Sequence, residues 1–133
     1  MKSILSSRHT FSKEERLSGK KKIDELFSSG SSFYLQPFKV ITVTSTSADE
    51  KSAPAQVLIT VSSKNFPRAV DRNRIKRLMR EAYRLNKQLL YDELKKQQKT
   101  MLLGLVYTSK KIEPFSLIQE KVIASLQKVI LQL

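Results

Sequence analysis

The chain has 133 residues and no cysteine, and its 25 Lys and Arg residues against 12 Asp and Glu residues give a formal net charge of +13. This length fits one compact domain, the lack of cysteine excludes disulfides and thiolate metal sites, and no apolar run is long enough to span a bilayer. Such an excess of positive charge is typical of proteins that bind nucleic acids or anionic surfaces.

Residues 1–12 are polar and contain no apolar core segment. They predict a flexible leader without a secretory signal, followed by a single domain over residues 13–133. Ser12 is followed three residues later by Glu15, which is the spacing of a capping box at the start of a helix.

A short amphipathic helix is predicted from about Lys20 to Ser28, with Gly30 ending it. Three consecutive lysines, Lys20–Lys22, occupy its first turn, although the helix dipole disfavours cations there. Because this placement costs stability, it indicates that these lysines serve another purpose.

Three stretches have the composition of β-strands. Residues 33–46 are rich in β-branched and aromatic side chains and predict one long strand or a strand broken in two. Residues 55–61 predict a second strand, and we expect the two to pair as a hairpin through a longish polar loop. The nearly continuous apolar run over residues 100–108 predicts a strand that is buried on both faces.

Between the second and third of these stretches, residues 71–84 predict an amphipathic helix with a dense cationic face. Its start fits either Pro67 in the first turn or Asp71 as the N-cap residue, and its end is expected between residues 86 and 90. The helical period places two sets of side chains on opposite sides: Ile75, Leu78, Met79, Ala82, Leu85 and Leu89 on the apolar side, and Asn73, Lys76, Arg77, Arg80, Arg84 and Lys87 on the cationic side.

The cationic face differs from an ordinary solvated helix surface. Arg72, Lys76 and Arg80 repeat one charge sign at a spacing of four residues, whereas solvated faces normally mix signs so that neighbours attract. Arginine outnumbers lysine in this stretch, and the guanidinium group favours bidentate contacts with phosphate. This helix therefore predicts a surface that binds a phosphate backbone.

The C-terminal third completes the predicted fold. Residues 89–99 are rich in Lys and Gln and form either a helix or a loop, and a final amphipathic helix follows Pro114. The element order predicts an α+β protein, a single small domain in which one mainly antiparallel sheet packs against helices.

No catalytic constellation is evident in the sequence. The single histidine, His9, lies in the leader, and the carboxylates are scattered along the chain. No Walker loop or Cys/His zinc pattern is present. These features favour a binding protein over a self-contained enzyme, and they predict neither a catalytic side chain nor a protein-bound metal.

The strand and loop at residues 57–65 and the helix at residues 68–81 resemble the signature of the protein subunit of bacterial ribonuclease P. In both, a hydrophobic strand runs into a lysine-containing loop and then into a helix that bears Arg-Asn-Arg, here Arg72–Arg74. Weaker similarity extends back to Arg16 and to the spacing of Ile23 and Phe27.

The resemblance implies a small α+β fold in which a left-handed βαβ crossover carries the Arg-Asn-Arg helix, although the general rule favours right-handed crossovers. It also implies a function. The family's protein partners a large catalytic RNA, which removes the 5′ leader of precursor tRNA with bound Mg²⁺. The protein contacts both that RNA and the single-stranded leader. A cytoplasmic location is implied, with no membrane and no protein partner.

The resemblance assigns two sets of residues. Arg-Asn-Arg helix residues are expected to contact the RNA subunit, namely Arg72, Asn73, Arg74, Lys76, Arg77, Arg80 and Arg84. The leader is expected at a cleft between the sheet and the N-terminal helix, contacted by Phe27, Ile23, Arg16, Lys64 and Arg68. Three departures from the family pattern lie here: Ile23 stands where phenylalanine is common, Ser63 replaces the first of two adjacent lysines, and Phe66-Pro67 is atypical.

Three other functions are compatible with parts of this pattern. A ribosomal-type structural RNA-binding protein would share the fold. A helix-turn-helix DNA regulator would need a helix immediately before Asp71, where strands are predicted instead. A self-contained nuclease would require carboxylates that are distant in the sequence to converge.

Overall fold

The computed structural model describes residues 11–46 and 53–133. A single 3-10 turn at Lys13–Glu15 precedes the main elements. These are α1 (Lys20–Ser29), β1 (Ser31–Leu35), β2 (Phe38–Thr46), β3 (Ala55–Val61), α2 (Ala69–Asn86), α3 (Gln88–Gln97), β4 (Lys99–Tyr107) and α4 (Phe115–Leu131). The element order confirms the α+β prediction, including the helical alternative for residues 89–99.

The four strands form one mixed sheet in the order β1-β2-β4-β3. β2 pairs antiparallel with both β1 and β4, whereas β3 pairs parallel with β4. The predicted hairpin between residues 33–46 and 55–61 is therefore wrong, because β4 lies between those strands. The alternation of side chains shows that a segment is a strand but does not identify its partner.

The first predicted strand is broken in two, as one alternative allowed. Leu35 pairs with Phe38 across a turn that contains Gln36 and a cis peptide bond to Pro37. Thr108 fixes this turn, because its backbone N–H and its hydroxyl group both donate to the Pro37 carbonyl oxygen, at 2.8 and 3.0 Å.

Different helices pack against the two faces of the sheet. The larger core lies on the face covered by α2, α3 and α4, and it includes the fully buried Phe38, Ile75, Met79 and Leu105. The opposite face carries a smaller cluster around Leu26 of α1. One short helix covers only part of this second face, so a stretch of sheet beside it is left accessible.

Close packing of α1 on the sheet depends on a glycine in β4. A Cβ atom at Gly104 would lie 3.0 Å from the Leu26 side chain. Leu26 is fully buried at this contact, so any larger residue at position 104 would push α1 outwards.

The buried side of α2 agrees only in part with its predicted apolar face. Ile75, Met79 and Ala82 are buried as expected, but Leu85 and Leu89 are 39% and 47% exposed. Tyr83, which was not assigned to that face, is fully buried instead. The reason is that α2 ends at Asn86 and α3 starts at Gln88, so the helical period does not continue to residue 89.

Lys87 is the clearest error in the predicted cationic face, since it is only 2% exposed. It lies at the junction between α2 and α3 and points into the protein, where it contacts Glu15. The connection from β3 through α2 and α3 to β4 is the predicted crossover, and its left-handed sense remains a prediction from the family resemblance.

Candidate nucleic-acid interface

The segment before α1 lies alongside β3, at the edge of the sheet. Arg16 forms an isolated parallel bridge with Val57, and the Leu17 N–H donates to the Val57 carbonyl oxygen at 2.8 Å. The capping-box prediction is confirmed, since the Glu15 carboxylate accepts hydrogen bonds from the Ser12 backbone N–H and hydroxyl group, both at 3.0 Å. Residues 11–17 are therefore held in place, although residues 11 and 12 were predicted to belong to a flexible leader.

A buried charge pair anchors this segment to the helices. The Lys87 ammonium group contacts the Glu15 carboxylate, and the Tyr91 hydroxyl group donates to the same carboxylate oxygen at 2.6 Å. Burial raises the pKa of Glu15, but the hydrogen bonds from Lys87, Tyr91 and Ser12 outweigh that effect and hold the pKa below its usual value. The carboxylate is thus charged at neutral pH and ties residues 12–15 to the α2–α3 junction.

The anchored segment, the β3 edge and α2 enclose a groove of about 310 Å³. Its apolar floor and sides come from the sheet and the N-terminal segment, and its polar groups come from α2 and Arg16. The lining residues are Phe11, Arg16, Leu17, Val57, Leu58, Ile59, Asn73, Lys76 and Arg80.

Cationic groups surround this groove. The Arg16 guanidinium lies 5.3 Å from the centre of the Phe11 ring, and Lys76 and Arg80 form the opposite wall. Arg80 Nε donates to the Lys76 carbonyl oxygen at 3.3 Å, which holds the exposed guanidinium along the helix. An anionic chain with flat apolar groups complements such a groove, because phosphates can meet the cations and bases can contact the apolar floor.

The other cations of α2 differ in their exposure and in their hydrogen-bond partners. Arg74 and Arg77 are exposed beside the groove. Arg72 is half-buried, and its Nη1 donates to the Phe66 and Pro67 carbonyl oxygens at 2.9 and 2.8 Å, which fixes the loop before the helix.

Arg84 is engaged with an acidic neighbour on its own helix. Its guanidinium donates to both carboxylate oxygens of Glu81, at 3.0 and 2.6 Å. This ion pair lowers the pKa of Glu81 and raises the pKa of Arg84. Of the predicted set, Arg84 is therefore the cation whose charge is most directly balanced by a described carboxylate.

The residues predicted to contact the leader do not all meet in the groove. Arg16 lines it, whereas Ile23 is half-buried against the smaller cluster and Phe27 is 52% exposed on α1. Lys64 and Arg68 lie in the loop that joins β3 to α2, and both are exposed.

Two contacts involve residues of that loop. Arg68 Nε lies 3.9 Å from an Asp71 carboxylate oxygen, so its charge is partly offset at the start of α2. Phe66 is buried, with its ring 6.1 Å from that of Tyr107. Phe66 is thus a core residue rather than an exposed stacking group.

The family model for Ribonuclease P matches residues 11–129. The chain belongs to the ribonuclease P protein family. Relatives named ribonuclease P protein component include proteins from two bacterial genera. The one from Porphyromonas gingivalis is 36% identical over 118 residues, which is 89% of this chain and 85% of the relative. The one from Chlorobium phaeobacteroides is 46% identical over 93 residues, which is 66% of this chain and 62% of the relative.

Solved structures of ribonuclease P proteins share the fold. The Thermotoga maritima protein matches with a TM-score of 0.66 and 23% identity, covering 86% of this chain and 96% of that one. The Staphylococcus aureus protein matches with a TM-score of 0.64 and 21% identity, covering 86% and 94%. Family members are the protein component of an endoribonuclease holoenzyme, and these relationships do not favour the ribosomal-type alternative.

Some contacts of this chain were not predicted from its sequence. Lys22 Nζ donates to the Gln56 side chain at 3.2 Å, and the Gln56 amide donates to the Glu14 carbonyl oxygen at 3.2 Å. One lysine of the unfavourable first turn of α1 thus joins α1 to β3 and to the N-terminal segment. Phe11 and Leu58 were also missed as groove residues, because nothing in their local pattern indicates that the groove is there.

The described part of the chain shows neither a cluster of metal ligands nor a membrane-spanning helix. Among residues 11–46 and 53–133, no three His, Cys, Asp or Glu side chains come together as metal ligands would. His9 lies outside the described residues. No helix in the same ranges is long and apolar enough to cross a membrane.

Proposed function

We propose that this chain binds the catalytic RNA subunit of ribonuclease P and the 5′ leader of precursor tRNA, and so assists removal of the leader. The observation that carries the proposal is the cationic groove between α2 and the N-terminal segment in a chain of this family. The RNA, rather than a protein side chain, performs the hydrolysis.

The contribution of α2 is electrostatic. Arg74, Arg77 and Arg80 are exposed on one helix, where they can neutralise phosphates and release counterions from a folded RNA. Arg72 supports this surface indirectly, because it holds the loop at Phe66 against the start of the helix. Neutralised phosphates lower the repulsion between the two RNA molecules that must approach each other, so a given Mg²⁺ concentration becomes more effective.

The contribution of α1 and of the loop is to hold the leader. Phe27 is half-exposed on α1, and stacking of an unpaired base on an aromatic ring contributes about 1–3 kcal/mol. Arg16, Lys64 and Arg68 supply charge for the leader phosphates. Mature tRNA lacks the leader, so these contacts favour binding of the precursor over binding of the mature product.

Magnesium belongs to the RNA in this proposal. Mg²⁺ prefers carboxylate and phosphate oxygens, whereas the groove is lined by Arg16, Lys76 and Arg80, whose charges repel a divalent cation. The groove therefore does not fit a magnesium site. We place the protein in the cytoplasm, with precursor tRNA and the RNA subunit as partners and no protein partner required.

Reconstitution with the catalytic RNA tests this proposal. At a low Mg²⁺ concentration, where the RNA alone cleaves slowly, addition of the protein is expected to restore removal of the leader from precursor tRNA. The protein without RNA serves as the control for intrinsic nuclease activity and should cleave nothing. Absence of stimulation over a range of Mg²⁺ concentrations would contradict the proposal.

A further inference from the structure

The accessible part of the sheet beside α1 carries a row of side chains that the leader-binding set does not include. Tyr34 pairs with Lys39, Lys39 with Val106, and Val106 with Thr60, across β1, β2, β4 and β3. Directly paired residues of neighbouring strands point to the same face of a sheet. These four side chains therefore form one row, which we call the Tyr34 row.

The face on which the row lies follows from its neighbours. Phe33 and Val40, adjacent to Tyr34 and Lys39 in their strands, pack against the larger core, and the Lys128 ammonium of α4 lies 4.5 Å from the centre of the Phe33 ring. Successive residues of a strand alternate between faces, so Tyr34 and Lys39 point to the α1 side.

Helix α1 ends before it reaches this row. Gly30, the residue that follows the helix, lies against Ile41, where an added Cβ atom would be 2.6 Å from the side chain. Lys39 lies two residues before Ile41 in β2, which places the Tyr34 row roughly 7 Å to one side of the strip that α1 covers. Tyr34 is 68% exposed as a result.

The chemistry of the row fits single-stranded RNA. The Lys39 ammonium lies 5.7 Å from the centre of the Tyr34 ring, so an aromatic face and a cation stand next to each other at the sheet edge. Thr60 adds a hydroxyl group at the other end, and the row contains no carboxylate. A base can stack on the exposed ring while its phosphate meets the ammonium group.

We infer that Tyr34 and Lys39 form a second nucleotide-binding position, for leader residues farther from the cleavage site than those held at Phe27. The inference rests on the proposed function, since it extends the path of the same strand from α1 across the sheet to β1. It adds two residues, Tyr34 and Lys39, whose role the family signature does not assign.

The test compares variants in the reconstituted holoenzyme, using precursor tRNAs with leaders of about 2 to about 12 nucleotides. Tyr34→Ala and Tyr34→Leu are expected to weaken precursor binding at least about fivefold with the longer leaders. They should leave binding of the shortest leader and of mature tRNA unchanged. Tyr34→Phe should bind like the wild type, because the ring is retained.

Lys39→Gln reports on the phosphate contact. Its affinity for long-leader precursor should fall, and the slope of log affinity against log salt should decrease by about 1. Leu131→Ala is the matched control, since Leu131 is 86% exposed on α4 and lies on the other side of the sheet. It should behave like the wild type with every leader.

The outcomes separate this inference from the proposed function. If the wild-type protein stimulates cleavage but Tyr34→Ala binds all leaders normally, the second position does not exist and the proposed function stands. If Tyr34→Ala weakens mature tRNA and precursor equally, the residue is structural or contacts another RNA region, and the inference is wrong. Failure of the wild-type protein to stimulate cleavage contradicts the proposed function itself.

Discussion

Replacement of Lys87 by methionine is expected to release residues 11–17 from the edge of the groove or to destabilise the whole domain. The Lys87 and Glu15 side chains are only 3% and 8% exposed, and they form a direct ion pair. Methionine keeps much of the lysine stem but removes the charge. The Glu15 carboxylate then stays buried with Tyr91 and Ser12 as its remaining donors.

The size of the effect depends on whether Glu15 stays charged without Lys87 or becomes protonated. Breaking a buried ion pair by removing one partner costs about 3–5 kcal/mol. Protonation of Glu15 limits this cost. To protonate a carboxyl group with a pKa of 4.5 at pH 7 requires about 3.4 kcal/mol. We therefore expect a loss of about 3 kcal/mol, which lowers Tm by roughly 10–15 °C in a domain of this size.

Urea unfolding at pH 7 of Lys87→Met, Glu15→Gln and the double variant measures this effect and its coupling. The double variant should be more stable than the sum of the single losses predicts, with a coupling energy above about 1.5 kcal/mol. Lowering the pH towards 5 should reduce the deficit of Lys87→Met, because its buried carboxyl group gains a proton. A Lys87→Met protein within about 0.5 kcal/mol of the wild type would refute the anchoring role.

Three further predictions concern the same side chains and the RNA surface. Because the folded state lowers the pKa of Glu15, its contribution to wild-type stability should be complete above pH 4.5 and should be lost as the pH falls through the lower folded value, which acid titration of unfolding detects. Tyr91→Phe should lower the free energy of unfolding by about 1.5–3 kcal/mol, because it removes a donor to a carboxylate. Tyr83→Phe should lower it by less than about 0.5 kcal/mol, since the buried Tyr83 hydroxyl makes no well-formed hydrogen bond among the described residues. Equal losses of stability in thermal unfolding would argue against this difference. Arg77→Ala should weaken binding of the RNA subunit and reduce its salt slope by about 1, while Phe27→Ala should weaken precursor binding with little change in slope; the same behaviour in both filter-binding series would contradict the division of roles.

Local patterns in the sequence predicted the elements that depend on local forces. The capping box at Ser12 and Glu15, the amphipathic helix around Ile75, and the buried run over residues 100–108 all require only the sequence period and the chemistry of neighbouring residues. Each appears in the structure at nearly the predicted place.

Contacts between distant residues could not be predicted in this way. Glu15 was expected to cap a helix but also binds Lys87, which is 72 positions away, and the helical period placed Lys87 on the cationic side of α2. The strand order was missed for the same reason, since nothing in β2 or β3 specifies that β4 inserts between them. The groove results from these long-range contacts, so its residues on the N-terminal segment were identified only in part.

We propose that RNA binds at the groove and is not held merely by the overall positive charge of the protein. Two double variants remove the same number of charges: Lys76→Ala/Arg80→Ala in the groove wall and Lys95→Ala/Lys96→Ala on the exposed surface of α3. The affinity of each for the catalytic RNA, measured over a range of salt concentrations, tests the claim. We predict that the groove variant loses affinity and about 2 units of salt slope while the α3 variant stays close to the wild type; equal losses in the two variants would contradict the claim.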